Sequence, residues 1–344
     1  MRVYVGLPND SLTKVPERIA AMEAAGYDGV SVAENAHDPF LPLAVAAVHS
    51  NRIQLATAVA IAFPRSPTMT ANVGWDLQAA SGGRFVLGLG SQVKAHNERR
   101  FGTPWTAPVP HMRSYVGAVR AIWNTWATGE PLNYESEHYR LDLMTPNFTP
   151  APLDGPPPPI RISAVGPHML RLAGEACDGV SLHPFCTGGY LANQILPRLA
   201  EGMARTGRSR DRFEVSGGGF VATGATDEDV ARSFEWVRTR VGFYGSTKAY
   251  WPVLAEHGLD DLGHELLHLS RTGGWDQMAG RVSDDVVRLF AAVGRFDELA
   301  AAVADRFGDL SDAIGLTTPT VSPSAVPPDL IQDLQALPSP FTGW

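Results

Sequence analysis

The chain has 344 residues, 44% of them hydrophobic and 19% charged, with 36 acidic against 28 basic side chains and a formal net charge of −8. That composition supports a large globular core and argues against a general nucleic-acid or anionic-membrane surface. The two cysteines, Cys177 and Cys186, form neither a CxxC pair nor a zinc spacing, no apolar run approaches a membrane span, and a reduced cytoplasm is the expected setting.

Strand-like and helix-like runs alternate. Arg2–Leu7 reads as a first strand. Ser11 is a candidate N-cap, and Val15, Ile19 and Met22 have helical spacing up to Gly26, a stop signal. Gly29–Ala33 reads as the second strand, Leu41–His49 as a helix, Ile53–Ile61 as the third strand and Thr68–Ala80 as a helix. Arg84–Leu89 is the fourth strand and Met112–Trp126 a longer helix. Residues 131–150 read as a hairpin excursion, and PAPLDGPPPP (150–159) as a stiff connector that cannot sit inside a sheet. Ile160–Ala164 is the fifth strand, Pro167–Ala176 a helix, Gly179–Leu182 the sixth strand, Tyr190–Arg205 a helix, Phe213–Thr223 the seventh strand and Asp227–Val241 a helix. Residues 244–288, rich in Trp, His and Gly, read as a mostly helical insertion before the last strand. Asp297–Phe307 is a helix and Ala313–Thr317 the eighth strand; the Pro-rich tail 318–344 is expected to wrap the outside, with a short helix near Leu330–Leu337. This α/β pattern points to one (β/α)8 TIM-barrel domain over 1–344, with a doubly wound open sheet as the alternative.

In such a barrel the active site lies at the C-terminal ends of the strands. After the second strand come Glu34, His37 and Asp38, of which Glu34 is a candidate general acid or base and His37 a second choice. No HxH or HExxH spacing occurs, so no metal site is expected. After the fourth strand stand Gly90, Ser91 and Gln92; Lys94, His96, Asn97 and Glu98 beyond them read mainly as a solvated helix face. After the fifth, Gly166 permits close backbone approach and Pro167 suits the first helical position, so the free N–H groups of His168 and Met169 can meet an anion. His183 ends the sixth strand and, with His96, is a reserve proton partner.

SGGRFVLGLGSQ (81–92) with NERRFG (97–102) resembles the fourth strand of the bacterial luciferase-like oxidoreductases, and AVGPHMLRLAGEACDGV (164–180) resembles their fifth strand, helix and sixth strand. LATAVAIAFPRSP (55–67), ENAHDPFLPL (34–43), FYGSTKAY (243–250) and AAVGRFDELAAAV (291–303) are similar in the same order. The likeness is greatest to the branch that uses the 8-hydroxy-5-deazaflavin coenzyme F420 rather than FMN.

The resemblance implies a flavin-type ring at the barrel mouth, backed by a bulge at Thr57, Ala58 and Val59 with a non-proline cis peptide at Ala58–Val59. It implies contacts from Gly90, Ser91 and Gln92, and a phosphate at Gly166, Pro167 and His168. It implies a homodimer that acts by hydride transfer on a small-molecule substrate. The deazaflavin-dependent sugar-phosphate dehydrogenases carry Asp-His after the second strand, where this chain has Glu34–Asn35, and an acidic residue where it has Val93; sugar-phosphate oxidation is therefore not expected. Tyr244, Tyr250, Trp251, His268 and Trp275 of the insertion are expected to roof the pocket. An FMN-dependent monooxygenase using dioxygen is one alternative, and a barrel that binds a phosphorylated ligand without turnover is another.

Overall fold

A parallel strand reaches its neighbour only through a crossover connection, so alternating short apolar runs and amphipathic helices wind in one direction. In the computed structural model, which describes residues 1–316 and 321–344, eight parallel strands close into a barrel surrounded by helices. They are β1 (Arg2–Gly6), β2 (Gly29–Val32), β3 (Gln54–Thr57, resumed at Ala60–Ile61), β4 (Phe85–Gly90), β5 (Ile160–Ala164), β6 (Gly179–Leu182), β7 (Glu214–Gly217) and β8 (Ala313–Gly315). Each pairs with the next, and β8 returns to β1 through Arg2↔Ala313. β4 is buried at every position, as a strand between a barrel interior and a helix layer must be. Thr317, expected in the last strand, and residues 318–320 of the tail lie outside the described residues.

Local signals set the helix ends. Pro67, Pro108 and Pro167 open their helices, and Ser66 accepts the Thr68 N–H as an N-cap. Gly26 closes the helix Val15–Ala25 and Gly129 the helix that Pro108 opens, both in the left-handed conformation, at φ 97° and 78°. The excursion after β4 is as expected: Tyr134–Glu135 pairs antiparallel with Arg140–Leu141. The Pro-rich connector lies against the helix Pro67–Ala80, where Trp75 Nε1 donates to Ala151 O at 3.0 Å and Gln78 Nε2 to Pro156 O at 3.0 Å.

Three expectations are corrected. The seventh strand does not run unbroken from Phe213 to Thr223. Gly217 and Gly218, at φ 87° and 97°, turn the chain out of the barrel, and Phe220–Gly224 pairs in parallel with Ala291–Arg295, a strand the periodicity did not separate from its flanking helices. Arg306 holds this turn: its guanidinium donates to Cys186 O (2.6 Å) and Gly218 O (3.1 Å). The helix expected over 190–205 contains a π-helical turn, Leu191–Ile195, ahead of the α-helix Leu196–Ala204. The tail does not only wrap the outside. After a helix at Pro328–Gln335 it crosses the N-terminal end of the barrel, where Trp344 packs against Tyr4, Ala56, Val86 and Ala313 and donates from Nε1 to Asp178 O. The Arg2 guanidinium lies 4.7 and 4.9 Å from the Phe341 and Trp344 rings. Among the described residues, no helix is long and apolar enough to cross a membrane.

Candidate active site

A barrel of this size is ordinarily filled by side chains, so an opening needs small residues at inward positions. Ser31, Ser163, Ser181 and Ser216 supply them on β2, β5, β6 and β7. The register sets Ser163 beside Ser181 and Ser181 beside Ser216. With Ala58, Gly90, Gly217 and Gly315 they surround a cavity of about 690 Å³ at the C-terminal strand ends. A Cβ added to Gly315 would meet no atom within 4 Å, so the glycine keeps part of that space open. Tyr4 and Arg161 form the floor. Buried Arg161 donates from Nη1 to Glu214 Oε2 at 2.6 Å, and Tyr4 donates to Gln54 Oε1. Burial, reinforced by the Glu214 charge, pushes the Tyr4 phenol up to about 12, so it stays neutral.

The wall above β3 is a bulge. Ala56 pairs with Val86 but Ala60 with Leu89, so β3 carries one residue more than β4 across this stretch. The Ala58–Val59 peptide is cis, as the resemblance implies. Thr57 lies under the bulge, fully buried and off the cavity wall. Its Oγ1 accepts Gly88 N–H at 2.8 Å and donates to Gly88 O at 2.7 Å. Gly88 must be glycine, because a Cβ there would stand 1.9 Å from Thr57 O. Gly90 makes room for the bulge in the same way: its Cβ would meet Val59 Cγ2 at 2.5 Å.

Glu34 lines the cavity and fastens the bulge. Its Oε2 accepts Ile61 N–H at 2.7 Å and Arg65 Nη1 at 2.6 Å, while Oε1 has no partner among the described residues. Arg65 also donates to Asp38 Oδ2 at 2.8 Å. Burial alone would lower the Arg65 guanidinium; the two carboxylates outweigh it and hold it further above its ordinary value.

His183 also lines the cavity. Its Nδ1 accepts the Phe185 N–H at 3.0 Å, which leaves the ring proton on Nε2. Burial pushes the imidazole down to about 4. Tyr244 and Tyr250 pack on this ring at centroid distances of 4.4 and 4.6 Å and line the cavity. The other expected roof residues do not line it: His268 and Trp275 are exposed, and Trp251 packs on His264.

Ser91 and Gln92 line the cavity, with Gln92 at φ 56° and its Oε1 turned onto the Val93 N–H. Asn97, read as part of a solvated face, is fully buried and donates to Ser91 O (2.9 Å) and Val93 O (3.1 Å), pinning the β4 exit. His37 and His96 are exposed and off the cavity wall. Gly166, Pro167 and His168 are exposed at the start of the helix Pro167–Ala176, beside Val165 on the cavity rim. The serine layer went unread in the sequence. Its signal is there: GVSV, RISA, GVSL and EVSG carry Ser at matched places in four strands.

The open chamber lies at the C-terminal strand ends, where (β/α)8-barrel enzymes place their active sites. Residues 2–312 match the profile of the luciferase-like monooxygenase family, and the chain belongs to that family. It is 45% identical over 308 residues, 90% of each chain, to an uncharacterized protein of Mycobacterium tuberculosis. It is 30% identical over 338 residues, 93% of each chain, to a protein of that organism provisionally named a coenzyme F420-dependent oxidoreductase. The structure of the coenzyme F420-dependent tetrahydromethanopterin reductase from Methanopyrus kandleri superposes with a TM-score of 0.78 at 21% identity, covering 98% of this chain and 97% of that one.

Proposed function

We propose that the protein is a coenzyme F420-dependent oxidoreductase that transfers a hydride between the deazaflavin C5 and a small organic substrate. The likeness along nearly the whole chain to the provisionally named F420-dependent oxidoreductase carries this reading. The residues present fit such a group. The chamber is within the range of cofactor pockets, its wall is the Ala58–Val59 bulge, and a Cβ at Gly166 would project into open space where a phosphate can approach the backbone. Ala58, Val59, Gly90, Ser91 and Gln92 would hold the ring, and the His168 and Met169 N–H groups the phosphate. Bound there, the coenzyme supplies a two-electron hydride carrier.

The chain supplies orientation, a dry pocket and proton handling. Glu34 offers Oε1 to a substrate hydroxyl and accepts or returns its proton, anchored through Oε2 by Ile61 and Arg65. Neutral His183 donates from Nε2 to a substrate oxygen. Tyr244 and Tyr250 exclude water from above.

Calorimetric titration of the apoprotein with each cofactor tests the reading. F420 should bind at least about tenfold tighter than FMN, a gap of about 1.4 kcal/mol. Tighter FMN binding, with dioxygen consumed on reduction, would overturn it in favour of an FMN monooxygenase.

A further inference from the structure

We propose that the floor of the chamber is a carboxylate subsite, and that the substrate is a small oxo or hydroxy acid whose acid end is held by Arg161 and the serine layer; the proposal rests on the oxidoreductase reading above. Two glycines shape this floor. A Cβ at Gly29 would stand 2.2 Å from Tyr4 Cε1, and one at Gly179 would stand 3.0 Å from Arg161 Cγ, so both long side chains lie across the barrel over glycine. Ser31 and Ser181 follow these glycines by two residues in the same strands, which turns them inward one layer above the floor.

The charges of the floor suit an acid. Arg161 is 2% exposed and lines the chamber. Its ion-pair partner is shared: Arg161 Nη1 holds Glu214 Oε2, and Arg2 Nη1 reaches Glu214 Oε1 at 3.3 Å from the N-terminal side of the barrel. Two guanidinium groups against one carboxylate leave this cluster one positive charge in excess, and the neutral Tyr4 phenol does not offset it. Arg161 Nε has no acceptor among the described residues. A buried guanidinium with an unmet N–H is matched by an anionic oxygen. The Oγ atoms of Ser31, Ser163, Ser181 and Ser216 make no hydrogen bond among the described residues, so these hydroxyls can donate to the same group.

The layout also sets the direction of the ligand. The other charged residue on the chamber wall is Glu34, at the mouth, and its carboxylate turns an acid end away toward Arg161. Ser163, Ser181 and Ser216 stand on β5, β6 and β7, and β7 is four strands on from the β3 bulge, the opposite side of an eight-stranded barrel. The acid end therefore lies away from the Ala58–Val59 wall. His183 comes two residues after Ser181, roughly 7 Å further along the chain direction, so an oxygen that meets His183 Nε2 is several bonds from a carboxylate at the serines.

The test is calorimetric titration of the F420-loaded protein with pyruvate and levulinate, a shorter and a longer oxo acid, and with their methyl esters, which remove the charge. At least one acid should bind about tenfold or more tighter than its ester. Arg161→Met should bring that acid to the affinity of the ester. The double variant Ser181→Ala, Ser216→Ala leaves the ion pairs of the floor in place; it should weaken the acid by about three- to tenfold and leave the ester unchanged, and it carries the test if Arg161→Met does not fold. Equal binding of acid and ester, or binding of neither acid, would overturn the proposal while leaving F420 as cofactor. Acid binding to the apoprotein that F420 displaces would also overturn it, because the floor would then belong to the coenzyme. Binding of FMN in place of F420 would overturn the cofactor reading, and the comparison of acid with ester on the FMN-loaded protein would still support or overturn the subsite.

Discussion

Gly90→Ala tests whether the bulge is a rigid wall. The added Cβ would lie 2.5 Å from Val59 Cγ2 and 3.1 Å from Ser163 Oγ. Carbon atoms pack at about 3.5–4.0 Å, so Val59 must retreat by roughly 1 Å. The bulge resists. Ala58 N–H is held by Val32 O at 2.8 Å, Val59 O accepts Glu34 N–H at 3.3 Å, and Thr57 is tied to Gly88 from below. Overpacking of this kind costs about 1–3 kcal/mol. In urea unfolding the unfolding free energy should fall by that amount, read as a lower midpoint at an unchanged slope, and coenzyme affinity should fall with it because Val59 is displaced toward the chamber. Adding Val59→Ala removes the clashing methyls, so the double variant should recover most of the loss of Gly90→Ala, a coupling of about 1 kcal/mol or more. A wild-type midpoint for Gly90→Ala, or no recovery in the double variant, would refute the reasoning.

Gly166 sits at φ −86° and ψ 158°, which a side chain can adopt, so Gly166→Val should fold normally yet weaken coenzyme binding by on the order of 10–100-fold; unchanged affinity by calorimetry would move the phosphate elsewhere. Glu34→Gln keeps an acceptor for Ile61 N–H but removes the proton acceptor, so turnover should drop roughly a hundredfold with coenzyme affinity kept; wild-type turnover and pH profile would pass the role to His183. Acid should destabilise the fold through buried His111 and half-buried His183. His111, stacked between Phe63 (3.9 Å) and His138 (4.4 Å), is pushed down to about 4 by burial and then by His138, and His183 is pushed down to about 4 by burial. Because these folded-state values lie below the unfolded value near 6.5, their contribution is present above that pH and is lost as pH falls toward about 4. Urea midpoints should decline across that window and decline less in His111→Phe; a flat profile in the wild type would contradict both placements.

The alternation of strands and helices was legible in the sequence, and closure into a barrel rather than an open sheet came from β8 pairing with β1. Apolar runs of strand length, helical spacing between them, and Gly and Pro punctuation set where elements begin and end, because these depend on residues two to four positions apart. The strand-end rule pointed to Glu34, Ser91, Gln92 and His183, which line the chamber, and to the Gly166 turn, which lies outside its lining, while the resemblance pointed to the cis peptide at Ala58–Val59. Tertiary structure alone decided which polar residues turn inward. Glu34 faces the chamber while His37 does not, because Arg65, 31 residues on, holds the carboxylate. Thr57 is drawn under the bulge by Gly88, also 31 residues away. The break after β7 is held by Arg306, 88 residues beyond Gly218, and the barrel floor is closed by Trp344, 166 residues beyond Asp178. The direction of a loop side chain is set by such distant partners, and local periodicity does not encode where in the chain they lie.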